Sequence, residues 1–231
     1  MKRDLYNLLF INSKYDLVIF DTNALCSALD KRLKGSYSEA SEERKIRALQ
    51  SETEFYTRLI EYIEGGLRFS ITKEVISEFK PVTIRSVMIN RVKESFNLNF
   101  VPQHILERVI SERDALISSF INKNRIISLK GYCGYDGLRK VYENLPYQYE
   151  LSETDFDFLI TGLTLVKKGN LCALVSNDNG IRAGWADILR KENMFFSHFG
   201  FFRNGGDFNF VGVNPLAINR FSKNRSSNVK S

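Results

Sequence analysis

Residues 16–20 (DLVIF) form a short apolar run that stops at Asp21. A run of that length, with no polar face, is the pattern of a strand buried in a parallel sheet. From about 37 to 64 the chain is rich in Glu, Lys and Ala, and Ile46, Leu49, Phe55, Leu59, Ile60 and Ile63 recur at helical spacing. Gly65-Gly66 supplies the stop for that helix. LRFSI (67–71) reads as a second strand, Thr72 as the cap of a helix over 73–80, and Pro81 as its end. Residues 82–130 read as mostly helical with a break near Asn97–Pro102, while the Gly- and Tyr-rich stretch 131–150 has no simple period. A helix is expected from Ser152 to about Lys168, a third strand over 171–176 (LCALVS), a helix over 181–192 and an aromatic strand over 195–202.

Strands alternating with helices define an α/β class: a parallel central sheet flanked by helices, with a helical insertion at about 82–150 and a C-terminal aromatic strand. Residues 1–220 are expected to form the domain. Residues 221–231, Ser/Asn-rich with Lys and Arg but no acid, read as a disordered basic tail. The chain has 231 residues, 43% of them hydrophobic, enough to bury a core without disulfides.

Charge and cysteine content narrow the chemistry. The formal net charge of +6 favours polyanionic partners such as nucleic acid. Cys26, Cys133 and Cys172 are odd in number and lack a CxxC spacing, which fits buried free thiols in a reducing compartment and argues against a zinc site. The two histidines, His104 and His198, supply a His-based triad or metal site poorly, and His198 reads as a packed residue. The N-terminal MKRDLYNLLFINSKYD is not a signal-peptide pattern, and no run approaches the length of a membrane span, so a cytoplasmic protein with no membrane contact is expected.

The candidate chemistry lies at strand ends, where open parallel sheets place their sites. Asp21 follows VIF and Asp178 follows LVSN. Glu78 (ITKEVISEFK) and Asp155 (LSETDFDFLITGL) can join them from helices. Ser152 and Asp155 have the S-x-x-D form of a capping box, which puts Asp155 in the first helical turn. Asp157 lies roughly 200° around that helix and is held in reserve, as is Glu74, one turn before Glu78. Asp155 shares its face with Leu159, Gly162 and Val166, and Gly162 would let the helix pack closely on the sheet. Clustered carboxylates repel and raise one another's pKa values, a penalty that a hard divalent cation with oxygen ligands removes.

These segments resemble the PIN-domain nuclease family. VIFDTNAL (18–25) is similar to its opening motif, ITKEVISEFK to the second with Glu78 as the acid, SETDFDFLITGL to the third with Asp155, and LVSNDNGI (174–181) to the fourth with Asp178. The resemblance implies hydrolysis of phosphodiester bonds, usually in RNA, with Mg²⁺ or Mn²⁺. It implies that Asp21, Glu78, Asp155 and Asp178 serve as metal ligands (Asp21, Asp155 and Asp178 above all) or position the attacking water. Asn23 and Ser176 would be supporting polar groups. Many small members are toxins of toxin–antitoxin pairs, which makes an antitoxin-like inhibitor and a homodimer candidate partners. This chain is longer than those, with additional sequence at 31–64 and 82–150.

Other readings compete. Each acid alone fits a turn or a helix cap. Asn23 stands where phosphatases with an Asp nucleophile carry a second acid, which disfavours that class. The basic stretch 82–130 fits either a nucleic-acid groove or a solvated helix face. FFSHFGFF (195–202) fits a buried strand or subunit contact better than base stacking, the tyrosines of 131–150 are expected to cover the core, and Trp185 to anchor its helix. The alternatives to an endoribonuclease are a PIN-like nucleic-acid-binding or regulatory module with little activity, and a DNA or flap nuclease of the same fold.

Overall fold

The computed structural model describes residues 15–25, 41–79, 90, 93, 99–170, 172–176, 178–192, 196–200 and 209–213. In chain order the elements are β1 (Leu17–Phe20), α1 (Thr22–Leu25), α2 (Glu42–Glu64), β2 (Phe69–Thr72), α3 (Lys73–Phe79), α4 (Gln103–Asn122), β3 (Ile126–Ile127), α5 (Cys133–Val141), α6 (Leu145–Tyr149), α7 (Glu153–Lys167), β4 (Cys172–Ser176), α8 (Asn179–Lys191), β5 (Phe196–Gly200) and β6 (Asn209–Val213).

Four parallel strands run in the order β3-β2-β1-β4, and β6 and β5 continue the sheet antiparallel beyond β4. From β1 the chain builds outward through β2 and β3, then crosses to the other side of β1 to place β4. The order therefore reverses between β1 and β4, and the crevice outside their carboxyl ends is the switch point where such sheets bind ligands. Val18 pairs with Phe69 on one side and Ala173 on the other, so β1 is interior and all but its first residue is buried.

Alternation along the strands sends side chains into two cores. Val18, Phe20, Phe69, Ile71, Ala173 and Val175 pack with α2, α3 and α4. Ile19, Cys172 and Leu174 face the opposite layer of α5 to α8. Two-sided burial is why β1 and β4 are unbroken apolar runs. Helix α7 is buried on all sides from Phe156 to Val166. A Cβ at Gly162 would stand 2.8 Å from both Leu174 methyl carbons, so this glycine lets the helix lie against β4, as its face placement suggests.

Several boundaries agree with the sequence pattern. Gly65 caps α2, Thr72 Oγ1 accepts from Val75 N–H at the start of α3, and Pro102 marks the entry to α4. Trp185 is buried in α8. Other expectations need correction. The segment 82–150 is not only a helical insertion, because Ile126–Ile127 is a sheet strand paired with Ile71 and Thr72. Two residues are too few to display a period of two. The Tyr-rich stretch divides into α5 and α6: Tyr135 and Tyr142 cover the core, whereas Tyr132 and Tyr147 are exposed. Strand β6, with no counterpart in the expected elements, pairs with both β4 and the aromatic strand β5. Cys133 is exposed rather than buried, while burial, with Asp16 nearby, pushes the Cys172 thiol up to about 12. Cys26, Pro81, the side chain of His198 and the 221–231 tail lie outside what is described. Among the described residues no helix is long and apolar enough to cross a membrane.

Replacing Gly162 by Val is expected to force α7 off β4 and lower the unfolding free energy by about 1–3 kcal/mol, the usual range for overpacking. Chemical denaturation checks this, and an unchanged midpoint would contradict the packing described.

Candidate active site

Asp21 is fixed by the backbone on both sides. Its N–H donates to Val175 O at 3.0 Å, extending the β1–β4 ladder one residue past the strand. Its carbonyl accepts from Ala24 N–H at 3.1 Å and Leu25 N–H at 3.2 Å, which starts α1 at once. The main chain is thus anchored on both sides, and the residue is 1% exposed. Oδ2 accepts a hydrogen bond of 2.8 Å from Ser176 Oγ, while Oδ1 is buried with no hydrogen-bond partner. Burial pushes the carboxyl pKa up to about 7. The Ser176 bond lowers it, Asp155 raises it, and the backbone amides of Thr22 and Asn23 lower it without closing a hydrogen bond to Oδ1.

Ser176, the last residue of β4, joins two of the acids: its hydroxyl donates to Asp21 and accepts from Asp178 N–H at 3.0 Å. Asp178 is the N-cap of α8. Its Oδ1 accepts from Gly180 N–H at 2.6 Å and Ile181 N–H at 3.1 Å, satisfying donors the helix start leaves open. Asp155 closes the expected capping box on α7, with Oδ2 accepting from Ser152 N–H at 3.0 Å and Ser152 Oγ at 2.8 Å. Burial raises its pKa, the two Ser152 bonds oppose that, and Asp178 and Glu78 add to the rise. Glu78, exposed on α3, accepts from Thr22 Oγ1 at 2.8 Å through Oε2.

The four acids thus share one electrostatic field with Asp155 at its centre, since Asp155 interacts with Asp21, Asp178 and Glu78. The hydrogen bonds described grip each through a single oxygen, and every donor is a neutral hydroxyl or amide. Among the described residues, none of the four is paired with Lys or Arg.

The reserve acids go elsewhere. Asp157 is buried against Tyr135, Arg139 and Lys130, and Glu74 pairs with Lys130, so both are neutralised and neither belongs to the set. Asn23 acts on Asp21 through its backbone amide. Thr22, which orients Glu78, escaped the sequence reading; its place between Asp21 and Asn23 was the available signal.

Among the described residues no three Asp, Glu, His or Cys side chains are grouped so as to hold a metal ion. The site is therefore not a preformed cage. Its donor chemistry still fits Mg²⁺ or Mn²⁺: among the described residues Asp21 Oδ1 is a buried oxygen without a hydrogen-bond partner, Asp155 adds a like charge to it, and no Lys or Arg pairs with it. Mg²⁺ commonly binds through one or two carboxylates, its waters and substrate phosphates. Comparison with known proteins adds no family: the chain matches no family model, no curated protein and no solved structure.

The raised Asp21 pKa fixes the sign of a pH effect in metal-free buffer. Below about pH 4 the group is protonated folded or unfolded and costs nothing. As pH rises towards 7, ionisation favours the unfolded chain, and stability falls by on the order of 4 kcal/mol before levelling off. Asp21→Asn is expected to remove this slope, so that between pH 5 and 8 the variant gains on the wild type. Parallel stability–pH curves for the two proteins would contradict the burial assignment.

Proposed function

We propose that this chain is a metal-dependent nuclease of the PIN type that hydrolyses phosphodiester bonds in RNA. One observation carries the reading: a buried carboxylate oxygen of Asp21 at the sheet's switch point, without a hydrogen-bond partner, beside Asp155, which in turn feels Asp178 and Glu78, and among the described residues no Lys or Arg pairs with these acids. The order of the four motifs along the chain and the basic net charge support it.

Asp21 would hold Mg²⁺ or Mn²⁺ through Oδ1, with Ser176 fixing the carboxylate through Oδ2. Asp155 and Asp178 are the next ligands, each anchored through one oxygen by the start of its own helix. Glu78, exposed and oriented by Thr22, would position the attacking water. When bound, the ion supplies an acidified water as nucleophile and offsets charge on the phosphoryl group in transit. The acids repel a polyanion in the ion's absence, so substrate binding and ion binding should favour each other.

That no three-residue metal group occurs among the described residues favours one second reading, a nucleic-acid-binding module with little activity. Cleavage and binding assays with matched RNA and DNA in Mg²⁺ or Mn²⁺ separate the alternatives. RNA cleavage supports the proposal, RNA binding without cleavage supports the module, and preferential DNA cleavage supports a DNA or flap nuclease.

Asp21→Asn is expected to reduce cleavage to background while leaving the fold intact, and undiminished cleavage would overturn the proposal. Ser176→Ala, which removes the support of a ligand rather than the ligand, is expected to weaken Mn²⁺ binding by about 10–100-fold. A calorimetric titration with Mn²⁺ measures it, and an unchanged affinity would remove Ser176 from the site.

A further inference from the structure

Helices α3 and α7 each carry one acid of the proposed site and one acid that Lys130 binds, and α7 also carries Glu153. On α3 these are Glu78 and, one turn earlier, Glu74; on α7 they are Asp155 and, two residues later, Asp157. Lys130 takes the outer acid of each helix. Its Nζ stands 3.0 Å from Glu74 Oε1 and 3.2 Å from Asp157 Oδ2.

The lysine is presented by a tight turn. Tyr132 N–H donates to Leu129 O at 3.0 Å, and Gly131 between them has φ +83°, a conformation that suits glycine at the third position of such a turn. Lys130 is therefore held at the junction of β3 and α5, beside both helices.

The two contacts differ in weight. Glu74 is partly exposed, and an ion pair there contributes little by itself. Asp157 is 1% exposed, and its Oδ2 makes no hydrogen bond, so the Lys130 ammonium is the countercharge that this buried oxygen faces. Removing Lys130 would leave Oδ2 without its countercharge, while Arg139 still compensates the carboxylate through Oδ1. The other oxygen, Oδ1, keeps Tyr135 Oη at 2.6 Å and Arg139, which also reaches Glu153 and so ties α5 to α7. Loss of Lys130 should therefore loosen α3 from α7 while Arg139 still holds α7 to α5.

We propose that Lys130 is a positioning residue: by bridging Glu74 and Asp157 it fixes α3 against α7, and so sets Glu78 relative to Asp155. It also occupies a carboxylate pair that would otherwise compete for cations. This rests on the metal-dependent reading of Asp21, Glu78, Asp155 and Asp178.

The test uses the full chain as wild type, Lys130→Met and Lys130→Arg. Mn²⁺ binding is followed by calorimetry, cleavage by kcat and KM on one RNA, and α3 by native-state hydrogen exchange. Lys130→Met is expected to stay folded, to exchange Lys73–Phe79 faster, to bind Mn²⁺ about 10–100-fold more weakly, as loss of a supporting contact does, and to lose kcat with KM less affected. Lys130→Arg should recover most of each loss. Lys130→Met with wild-type Mn²⁺ affinity and kcat overturns the positioning role, as does weakening without faster α3 exchange. If Lys130→Met fails to fold, Lys130→Arg and Glu74→Gln decide: the role requires weaker Mn²⁺ binding and faster α3 exchange in Glu74→Gln, with Lys130→Arg near wild type. A wild type that binds no Mn²⁺ overturns the metal reading itself, and the positioning role with it, a result distinct from failure of the variants alone.

Discussion

A carboxylate is expensive to bury, and the backbone of this chain anchors Asp21 at a buried position. Bonds to β4 on one side and to the first turn of α1 on the other hold it at the carboxyl end of an interior strand. Ser176 offsets part of the cost through one oxygen and the Thr22 and Asn23 amides lower it further, yet among the described residues the other oxygen closes no hydrogen bond. A folded protein that only needed a strand to end here would be better served by Asn or Ser, which carry no charge to desolvate. The retained charge, facing like charges, is the constraint from which the functional reading follows.

The surroundings divide the acids into two classes by the same physics. Asp157 and Glu74 have cations of the chain beside them, and the pairs tie α3, α5 and α7 together. Among the described residues Asp21, Asp155, Asp178 and Glu78 have only neutral hydrogen-bond donors, each gripping one oxygen. Such donors orient a carboxylate without cancelling its charge. Two of these acids also double as helix starts, so their positions are set by capping geometry and do not depend on the ion.

What was legible in the sequence was what local chemistry determines. The apolar runs ending at Asp21 and Ser176 gave adjacent parallel strands, and S-x-x-D gave a capping box with both reciprocal bonds. The spacing of Asp155 and Asp157 pointed the two apart, and in the fold Asp157 meets Lys130 and Arg139 while Asp155 closes the capping box. What was not legible depended on distant partners. The two-residue β3 exists because β2 offers it an edge, and β6 because β4 does. The pairing of Lys130 with Glu74 and Asp157 joins three separate stretches of chain, and the Thr22–Glu78 bond joins residues 56 apart. Nor could spacing alone show that the acids would share a field without forming a three-ligand group.

Anomalous diffraction from crystals soaked in Mn²⁺ would test the central claim most directly, because it locates the ion without relying on substrate or turnover. A peak is expected about 2.1 Å from Asp21 Oδ1. Crystals that take up Mn²⁺ elsewhere, or show none at this oxygen at saturating concentration, would contradict it.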